Sequence, residues 1–315
     1  MSVEVIEEAL ALICGKYIFP DKAVAAADAI RMRRDAGQYE GLTEPELAER
    51  LNTELFELFA DKHLRFHVSD TEMQAVMTEA DVVSFWREES RLENYGIAKV
   101  ERLDGNIGYL DIRHLPYASD GGDAIAAAMA LVSHTYALII DLRKNTGGEP
   151  DGVTFWNSYL FPDDKTHLND VYDGASGQTR QYWSLAHVPG QRYLGRPVYV
   201  LIGEKTFSAG ETFCYNLKAQ GRATLIGQTT RGGAHPVGVF PLTPTLIITV
   251  PNARSVNPVT GTNWEGVGVE PDLKVPTEEA FSVAYRKALE HALTTAASAS
   301  VLAEIRAALA EQGTE

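Results

Sequence analysis

Residues 199–213 have the sequence YVLIGEKTFSAGETF, in which an apolar run is followed by a polar turn and a helix-like stretch. The apolar residues 199–202 predict a buried strand, Gly203 ends it, and the residues from Ala209 onward predict a helix. Ser208 is therefore expected in the first turn of that helix. Backbone N–H groups at a helix start have no partner within the helix, so they can bind a developing oxyanion.

Ser208 has two interpretations. In the first, it is a nucleophile, and the N–H of Ala209 stabilises the tetrahedral intermediate. In the second, it is only the N-cap of the helix, and Glu211 completes a capping box three residues later. N-caps are far commoner than nucleophiles, so the segment taken alone favours the second interpretation.

The composition restricts the classes of protein that the chain can belong to. Its 315 residues include 28 Lys and Arg against 43 Asp and Glu, which gives a formal net charge of −15, and 45% of the residues are hydrophobic. This length fits one large or two ordinary domains with a sizeable core. The acidic balance, without a strong basic cluster, argues against nucleic acid or an anionic membrane as a partner.

The cysteines and the N-terminus bear on the compartment. Cys14 and Cys214 form neither a metal-ligand spacing nor a disulfide framework, so both are expected to be reduced and buried. The first residues are acidic and lack the basic region of a signal peptide. No apolar run reaches the roughly 18 residues of a transmembrane helix. We therefore expect a soluble, cytoplasmic protein without a membrane partner.

Hydrophobic spacing divides the chain into four regions. Apolar residues at helical spacing predict three helices in about the first 60 residues, with Asp21 capping the second and Thr43 starting the third. His63 lies where the third helix gives way to a strand over 64–68. From residue 95, strands alternate with helices, as in a layered sheet with right-handed crossovers. The predicted regions are an N-terminal helical domain (1–70), a linker (71–94), an α/β catalytic core (95–275) and a C-terminal helical segment (276–315).

Four motifs occur in a characteristic order: DKH at 61–63, DLRKNTGG at 141–148, KTFSAGE at 205–211 and WEGVGVEPD at 264–272. Together they resemble the tail-specific, or C-terminal processing, serine protease family. That family includes the tricorn core protease and the repeats of interphotoreceptor retinoid-binding protein. The resemblance covers residues 95–275 well and 1–70 loosely. It implies an α/β fold with a ClpP/crotonase-like layered sheet-and-helix core and a small N-terminal helical bundle.

The resemblance also implies a role for each matching residue. Ser208 falls on the nucleophile of the family, and the N–H of Ala209 falls on one oxyanion donor. Gly147 or Gly148 would supply the other donor, and a glycine pair does allow a close approach of backbone N–H groups to a ligand. The resemblance implies no metal or organic cofactor. It implies a peptide or protein substrate, either an unfolded peptide or an exposed C-terminal tail, and leaves a homo-oligomer open.

The general base separates two branches of the family. Members with a Ser–Lys dyad carry the lysine in a Thr-Thr-x-Gly-Lys-Gly stretch, which corresponds to residues 229–234 here, with Gly233 at the lysine position. Arg231 cannot replace that lysine, because a guanidinium stays protonated. Tricorn-like members instead use a histidine from the N-terminal part and a glutamate after the core strands. His63 and Glu265 match these positions, and a neutral imidazole can accept the hydroxyl proton near pH 7.

Some features depart from the family or stay open. Lys62 stands where tricorn-like proteases have a second serine, which puts a four-membered relay in question and leaves Ser–His–Glu intact. No segment of the size of a PDZ domain lies between 70 and 95. His235 is a second candidate base, in the loop that carries the lysine of the dyad enzymes. His235 and Arg231 are also candidate substrate-binding residues.

The sequence therefore predicts a serine-type peptidase in which Ser208 attacks, His63 moves the proton and Glu265 orients His63. The alternative comes from another functional class. On the same fold, the chain would be a non-catalytic module that binds an apolar ligand such as a retinoid or a fatty acid, as the retinoid-binding repeats of the family do. A base within reach of Ser208 distinguishes the two.

Overall fold

The structure is a computed structural model that describes residues 2–69 and 79–312. In chain order the helices are α1 (Ser2–Lys16), α2 (Pro20–Asp35), α3 (Glu44–Phe59), α4 (Glu79–Leu92), α5 (Ala118–Val132), α6 (Pro150–Ser158), α7 (Ala209–Ala219), α8 (Ala280–Thr295) and α9 (Ala299–Glu311). The strands are β1 (Arg65–Val68), β2 (Ile97–Leu103), β3 (Ile107–Ile112), β4 (Ala137–Asp141), β5 (His167–Asp173), β6 (Thr179–Trp183), β7 (Val198–Ile202), β8 (Thr224–Gly227), β9 (Val237–Pro241), β10 (Leu246–Pro251), β11 (Ala253–Val256) and β12 (Leu273–Lys274).

The chain forms two compact units, each built from separate stretches of sequence. The first unit comprises Met1–Trp86, Asp170–Arg180 and Gly233–Val256, and the second comprises Arg87–Asn169, Gln181–Gly232 and Asn257–Glu315. The domain boundaries predicted from the sequence are contiguous, whereas these units interleave. Residues 71–78 of the predicted linker lie outside the described residues, and α4 occupies most of the remainder.

In the first unit, α1, α2 and α3 pack against a small sheet. The sheet has the order β1-β10-β9, with antiparallel neighbours. The three helices predicted from the sequence are present, but Asp21 is not the cap of α2. Pro20 is the first residue of that helix and Phe19 is its N-cap, because a proline loses nothing in the first turn, where its missing N–H would have no partner. The apolar helix faces and strands β1 and β10 share one core.

In the second unit, a six-stranded mixed sheet has the order β12-β8-β7-β4-β3-β2. Within this sheet, the neighbouring strands β12, β8, β7, β4 and β3 run parallel to one another. Strand β2 pairs antiparallel with β3 at the edge. All five residues of β4 are buried, as expected for a parallel strand covered on both faces. The C-terminal helical segment divides into α8 and α9, whose small apolar residues pack on the sheet. The layered α/β class is confirmed.

This topology places two loops at the same edge of the sheet. Strands β4 and β7 are parallel neighbours, with Asp141 paired to Leu201 near their carboxyl ends. The loop with the two glycines leaves β4, and the turn with Ser208 leaves β7. Ligand sites of open α/β sheets lie at the carboxyl ends of the strands, so the fold itself brings these two motifs together.

Some details differ from the sequence-based expectations. Strands β11 and β12 were not predicted, since both are short, and β12 has only two residues. Cys214 is buried as expected, but Cys14 is only half-buried, so the expectation of burial is wrong for Cys14. Within the described ranges, no helix has both the length and the apolar character needed to cross a bilayer.

Candidate active site

Ser208 occupies an unusual backbone conformation between β7 and α7. Its φ is 55° and its ψ is −123°, in a region that a residue with a Cβ rarely adopts. Such a conformation costs about 1–3 kcal/mol and persists only where the surrounding structure enforces it. Ser208 is half-buried, and Ala209 is the first residue of α7. The structure thus holds this hydroxyl residue at a strained turn at the start of a helix.

The carboxylate of Glu211 is hydrogen-bonded to this turn. Its Oε2 accepts a hydrogen bond from the backbone N–H of Ser208 at 2.9 Å. Its Oε1 accepts one from the Thr230 hydroxyl at 2.5 Å and one from the N–H of Gly232 at 2.6 Å. Glu211 is completely buried. One buried carboxylate therefore joins the Ser208 turn to the loop around residues 230–232.

The glycine loop lies directly beside Ser208. Gly147 and Gly148 have φ values of 115° and 134°, which favour glycine. A Cβ on Gly147 would lie 2.8 Å from the Cβ of Ser208 and 3.3 Å from its Oγ. A Cβ on Gly148 would lie 2.0 Å from the carbonyl oxygen of Leu115. Both positions therefore require glycine, and Gly147 is a wall of the Ser208 site.

Asn145 ties the glycine loop to its surroundings. This fully buried side chain donates from Nδ2 to the carbonyl of Ile112 at 3.0 Å and accepts at Oδ1 from the N–H of Gly147 at 2.9 Å. Its carbonyl accepts from the N–H of Phe207, next to Ser208, at 3.0 Å. Asn145 thus fixes the glycine loop internally and to β3, and its carbonyl joins that loop to the segment before Ser208.

These bonds distinguish the candidate oxyanion donors. The N–H of Gly147 is engaged by Asn145, so it is not available to a ligand. The N–H groups of Ala209 and Gly148 donate to no other group in the described part of the chain. Of the two glycines predicted as the second donor, Gly148 is the one whose N–H remains available alongside that of Ala209.

Glu265 lies in a turn that packs against the 230–232 loop. Its backbone N–H donates to the Asn263 side chain at 3.0 Å, and its side chain is half-buried. The next residue, Gly266, donates its N–H to the carbonyl of Gly232 at 3.3 Å. Trp264, which precedes Glu265, is fully buried and anchors the turn. The role of Glu265 as an orienting residue stays a prediction.

A polar cluster surrounds Asp61 in the first unit. The carboxylate of this buried residue accepts hydrogen bonds from Nδ1 of His235 at 2.8 Å, from the hydroxyl of Tyr17 at 3.1 Å and from the backbone N–H of His63 at 3.0 Å. Burial acts to raise the pKa of Asp61, but the hydrogen bond and the charge of His235 outweigh it and hold that pKa below its usual value. The bond at Nδ1 fixes the orientation of the His235 ring against the carboxylate.

His63 and Arg231 occupy different environments. His63 is buried between α3 and β1, where its carbonyl accepts a bond from the Thr249 hydroxyl at 2.6 Å. Arg231 is exposed, with its guanidinium over the ring of Phe207 at 4.6 Å from the ring centre. Because Phe207 precedes Ser208, Arg231 lies beside the serine turn. Its predicted substrate contact stays a prediction.

A second serine–histidine pair provides a useful contrast. The Ser90 hydroxyl lies 2.8 Å from Nε2 of His114, and Nδ1 of that histidine lies 3.5 Å from a Glu93 carboxylate oxygen. Burial lowers the pKa of His114. His114 and Glu93 line a cavity of about 380 Å³. However, Ser90 is at the carboxyl end of α4, where a helix presents carbonyl oxygens and not N–H donors. The end of α4 therefore supplies no helix N–H groups to an oxyanion at Ser90.

Within each unit, the structure brings together some of the residues predicted for the site. In the second unit, Ser208, Ala209 and the two glycines come together, while in the first unit His63 and His235 meet at Asp61. Sequence reasoning recognised Glu211 only as half of a capping box, and assigned no role to Asp61 or Asn145. Both Asp61 and Asn145 lie within the quoted motifs, and that position was the one indication in the sequence that they contribute to the site.

Known proteins share sequence motifs and the fold with this chain. Residues 106–275, more than half of the chain, match the sequence model of peptidase family S41. Carboxyl-terminal-processing peptidase 2, a chloroplast protein of Arabidopsis thaliana, is 29% identical over 189 residues, covering 56% of this chain and 34% of the plant protein. The chain therefore spans about a third of the length of this curated relative.

Solved structures show the same fold. A photosystem II D1 C-terminal processing protease superposes with a TM-score of 0.55 at 15% identity, covering 87% of this chain and 93% of the protease chain. The tricorn protease superposes with a TM-score of 0.59 at 14% identity, covering 99% of this chain and 37% of the tricorn chain. At these identities the likeness concerns the fold.

Proposed function

The chain belongs to peptidase family S41, as its motifs predicted, and on that premise we propose that it is a serine-type peptidase with Ser208 as the nucleophile. One observation carries the proposal. Ser208 is held at a positive φ between Ala209, which follows it, and Gly147, which lies against it, and the N–H groups of Ala209 and Gly148 have no acceptor within the described residues. An N-cap needs neither the strain nor the second donor, whereas a nucleophile facing an oxyanion site needs a fixed hydroxyl and both donors.

The proposed reaction is acyl transfer through a serine ester. Oγ of Ser208 attacks the carbonyl carbon of a peptide bond while a histidine accepts the hydroxyl proton. The carbonyl oxygen becomes an oxyanion that accepts hydrogen bonds from Ala209 and Gly148. The C–N bond then breaks as the histidine returns the proton to the leaving amine. Water hydrolyses the ester by the same steps and restores the Ser208 hydroxyl.

We propose His63 as the general base and Glu265 as the residue that orients it. Their support is their place in the motifs, since a histidine and a glutamate at these positions serve the tricorn-like branch. His235 is the second candidate. Its support is the bond from Nδ1 to Asp61, because a carboxylate on one nitrogen of a histidine fixes the tautomer and the orientation of the ring, as in a catalytic triad.

The proposed substrates are unfolded peptides and exposed C-terminal tails. The support is that two similar proteins are named for carboxyl-terminal processing. A pair of peptides with one cleavage sequence, placed near the C-terminus in one and in the middle of the other, tests this point. We expect faster cleavage near the C-terminus. Equal rates would restrict the proposal to unfolded peptides in general.

The decisive experiment is cleavage of an unfolded protein by the wild type and by Ser208→Ala, with Ser90→Ala as the matched control. Both serines have a hydroxyl in a half-buried setting, but Ser208 stands at the N-terminus of a helix and Ser90 near the carboxyl end of one. We expect Ser208→Ala to lose cleavage and Ser90→Ala to retain it. A wild type that cleaves nothing but binds retinol or a fatty acid would instead support the non-catalytic alternative.

A further inference from the structure

The Glu211 carboxylate has a role that helix capping does not explain. In a capping box, the glutamate needs to accept only one hydrogen bond, from the backbone N–H of the N-cap residue. Glu211 makes this bond to Ser208 and also accepts from Thr230 and Gly232 on its other oxygen. The Thr230 hydroxyl accepts the N–H of Val269 at 2.7 Å, so its own proton is directed to Glu211. Both oxygens of this buried carboxylate are thus acceptors.

These bonds enforce the conformation of the nucleophile. The bond from the N–H of Ser208 orients the peptide unit between residues 207 and 208, and so sets the φ of 55°. The bond to Gly232 fixes the adjacent loop, whose carbonyl in turn holds the turn of Gly266. Removing a buried charged acceptor from hydrogen-bonded donors is costly, so the carboxylate stabilises the strained turn strongly.

We propose that Glu211 is a positioning residue for the peptidase reaction. It holds the Ser208 backbone in its strained conformation, and thereby aims Oγ and the N–H of Ala209 at the same substrate carbonyl. The proposal rests on the proposed function. Glu211 does not touch the substrate, and its effect is on the rate at which a correctly folded active site reacts.

The substitution Glu211→Gln tests this role with almost no change in volume. An amide has one acceptor oxygen and one NH₂ donor, whereas Glu211 faces donors on both oxygens. In either orientation, the NH₂ group meets an N–H or O–H donor, and the Ser208 turn relaxes. A displacement of about 1 Å at a reacting group costs about 100-fold in rate. We expect the rate of labelling by a fluorophosphonate probe to fall about 100-fold.

The experiment separates positioning from a merely structural role. A structural defect lowers the fraction of molecules that label, and the folded fraction then labels at the wild-type rate. Lost positioning lowers the rate constant while the final labelling stays complete. The matched control is Glu46→Gln, the same chemical change in the exposed capping box of Thr43 on α3. We expect Glu46→Gln to label at the wild-type rate.

The outcomes are distinguishable. A wild type that labels at Ser208, with Glu211→Gln slow and complete, supports the proposal. A wild type that labels, with Glu211→Gln at the wild-type rate or merely incomplete, overturns the role of Glu211 and leaves the proposed function standing. A wild type that never labels overturns both. If Glu211→Gln does not fold, Glu211→Asp carries the test. Its carboxylate is one methylene shorter and cannot bridge Ser208 and Gly232, so slow but complete labelling is again expected.

Discussion

Two helices of this protein begin with the same local pattern, a hydroxyl residue followed three positions later by a glutamate. On α3 the pair is Thr43 and Glu46, and on α7 it is Ser208 and Glu211. In both, the glutamate accepts a hydrogen bond of 2.9 Å from the backbone N–H of the first residue. From the sequence alone, the two would be called equivalent helix starts.

The two boxes differ in strain and in burial. Thr43 has an ordinary extended conformation, with φ −69° and ψ 164°, whereas Ser208 has φ 55° and ψ −123°. Glu46 is exposed. In the part of the chain that the structure describes, its carboxylate accepts hydrogen bonds from Thr43 alone. Glu211 is fully buried, and its carboxylate also accepts hydrogen bonds from Thr230 and Gly232 in a loop distant in sequence. The comparison teaches that a capping pattern marks a candidate nucleophile only when tertiary contacts strain it.

The largest expected effect is the loss of the general base, which a reactive Ser208 needs and the Thr43 capping box does not. A reactive Ser208 requires a histidine, and loss of a general base typically costs 10²–10⁴ in rate. We expect His63→Ala to lower kcat/KM for peptide cleavage by about 1,000-fold while the protein stays folded, as judged by circular dichroism. If His235→Ala shows the large loss and His63→Ala does not, the base assignment passes to the pair of His235 and Asp61.

A smaller effect on cleavage is expected when one methyl group is added near each capping box by a glycine-to-alanine substitution. The Cβ of Gly147→Ala would press on Ser208, so we expect a loss of about 100-fold in kcat/KM. Gly41 lies two residues before Thr43, with φ 77° and no atom within 4 Å of a Cβ added there. Gly41→Ala therefore costs only about 1 kcal/mol of backbone strain and should leave cleavage unchanged. Equal activity in the two variants would show that Gly147 is not a wall of the site.

Asp61 offers a third comparison, a buried carboxylate that accepts from several donors but belongs to no capping box. We expect Asp61→Asn to lower the free energy of unfolding by about 1–3 kcal/mol at pH 7, because His235 and Tyr17 lose their charged acceptor. The pKa of Asp61 is held below its ordinary value of about 3.9, so its contribution is complete above that pH and is lost as the pH falls further. Urea unfolding at pH 7, 5 and 3.5 should show a gap between the two proteins that has begun to narrow only at the lowest pH. A gap that widens with acidification would refute this assignment.

The smallest effect is expected at the ordinary box. Thr43→Ala removes a helix cap, which typically costs about 1 kcal/mol of stability. Thermal unfolding should report this loss, and peptide cleavage should remain at the wild-type rate. A loss of cleavage comparable to that of Ser208→Ala would mean that the two boxes do not differ in kind.

Much of the fold follows from local pattern. Helices α1 to α3 and the buried strands β4 and β7 are predicted by apolar spacing alone, because their burial leaves a periodic trace in the sequence. Strand β12 leaves no such trace, since it has only two residues. The interleaving of the two units is also invisible, because it depends on which distant strands pair, as β1 does with β10.

The site divides in the same way. Ser208, Ala209 and the glycine pair were predicted because they lie within short motifs at strand ends. The bond between Asp61 and His235 was not, since 174 residues separate them and no local pattern shows that the two side chains meet. The choice of Gly148 over Gly147 required coordinates, because it depends on the Asn145 side chain that engages one N–H and leaves the other.

The most direct test of the difference between the two boxes is to react the wild-type protein with a fluorophosphonate probe and to map the modified residue by mass spectrometry. The account predicts a single stoichiometric adduct on Ser208, with Thr43 and Ser90 unmodified. An adduct on Ser90, or a folded protein that carries no adduct after prolonged reaction, would contradict it and leave the α7 box as a helix cap like that of α3.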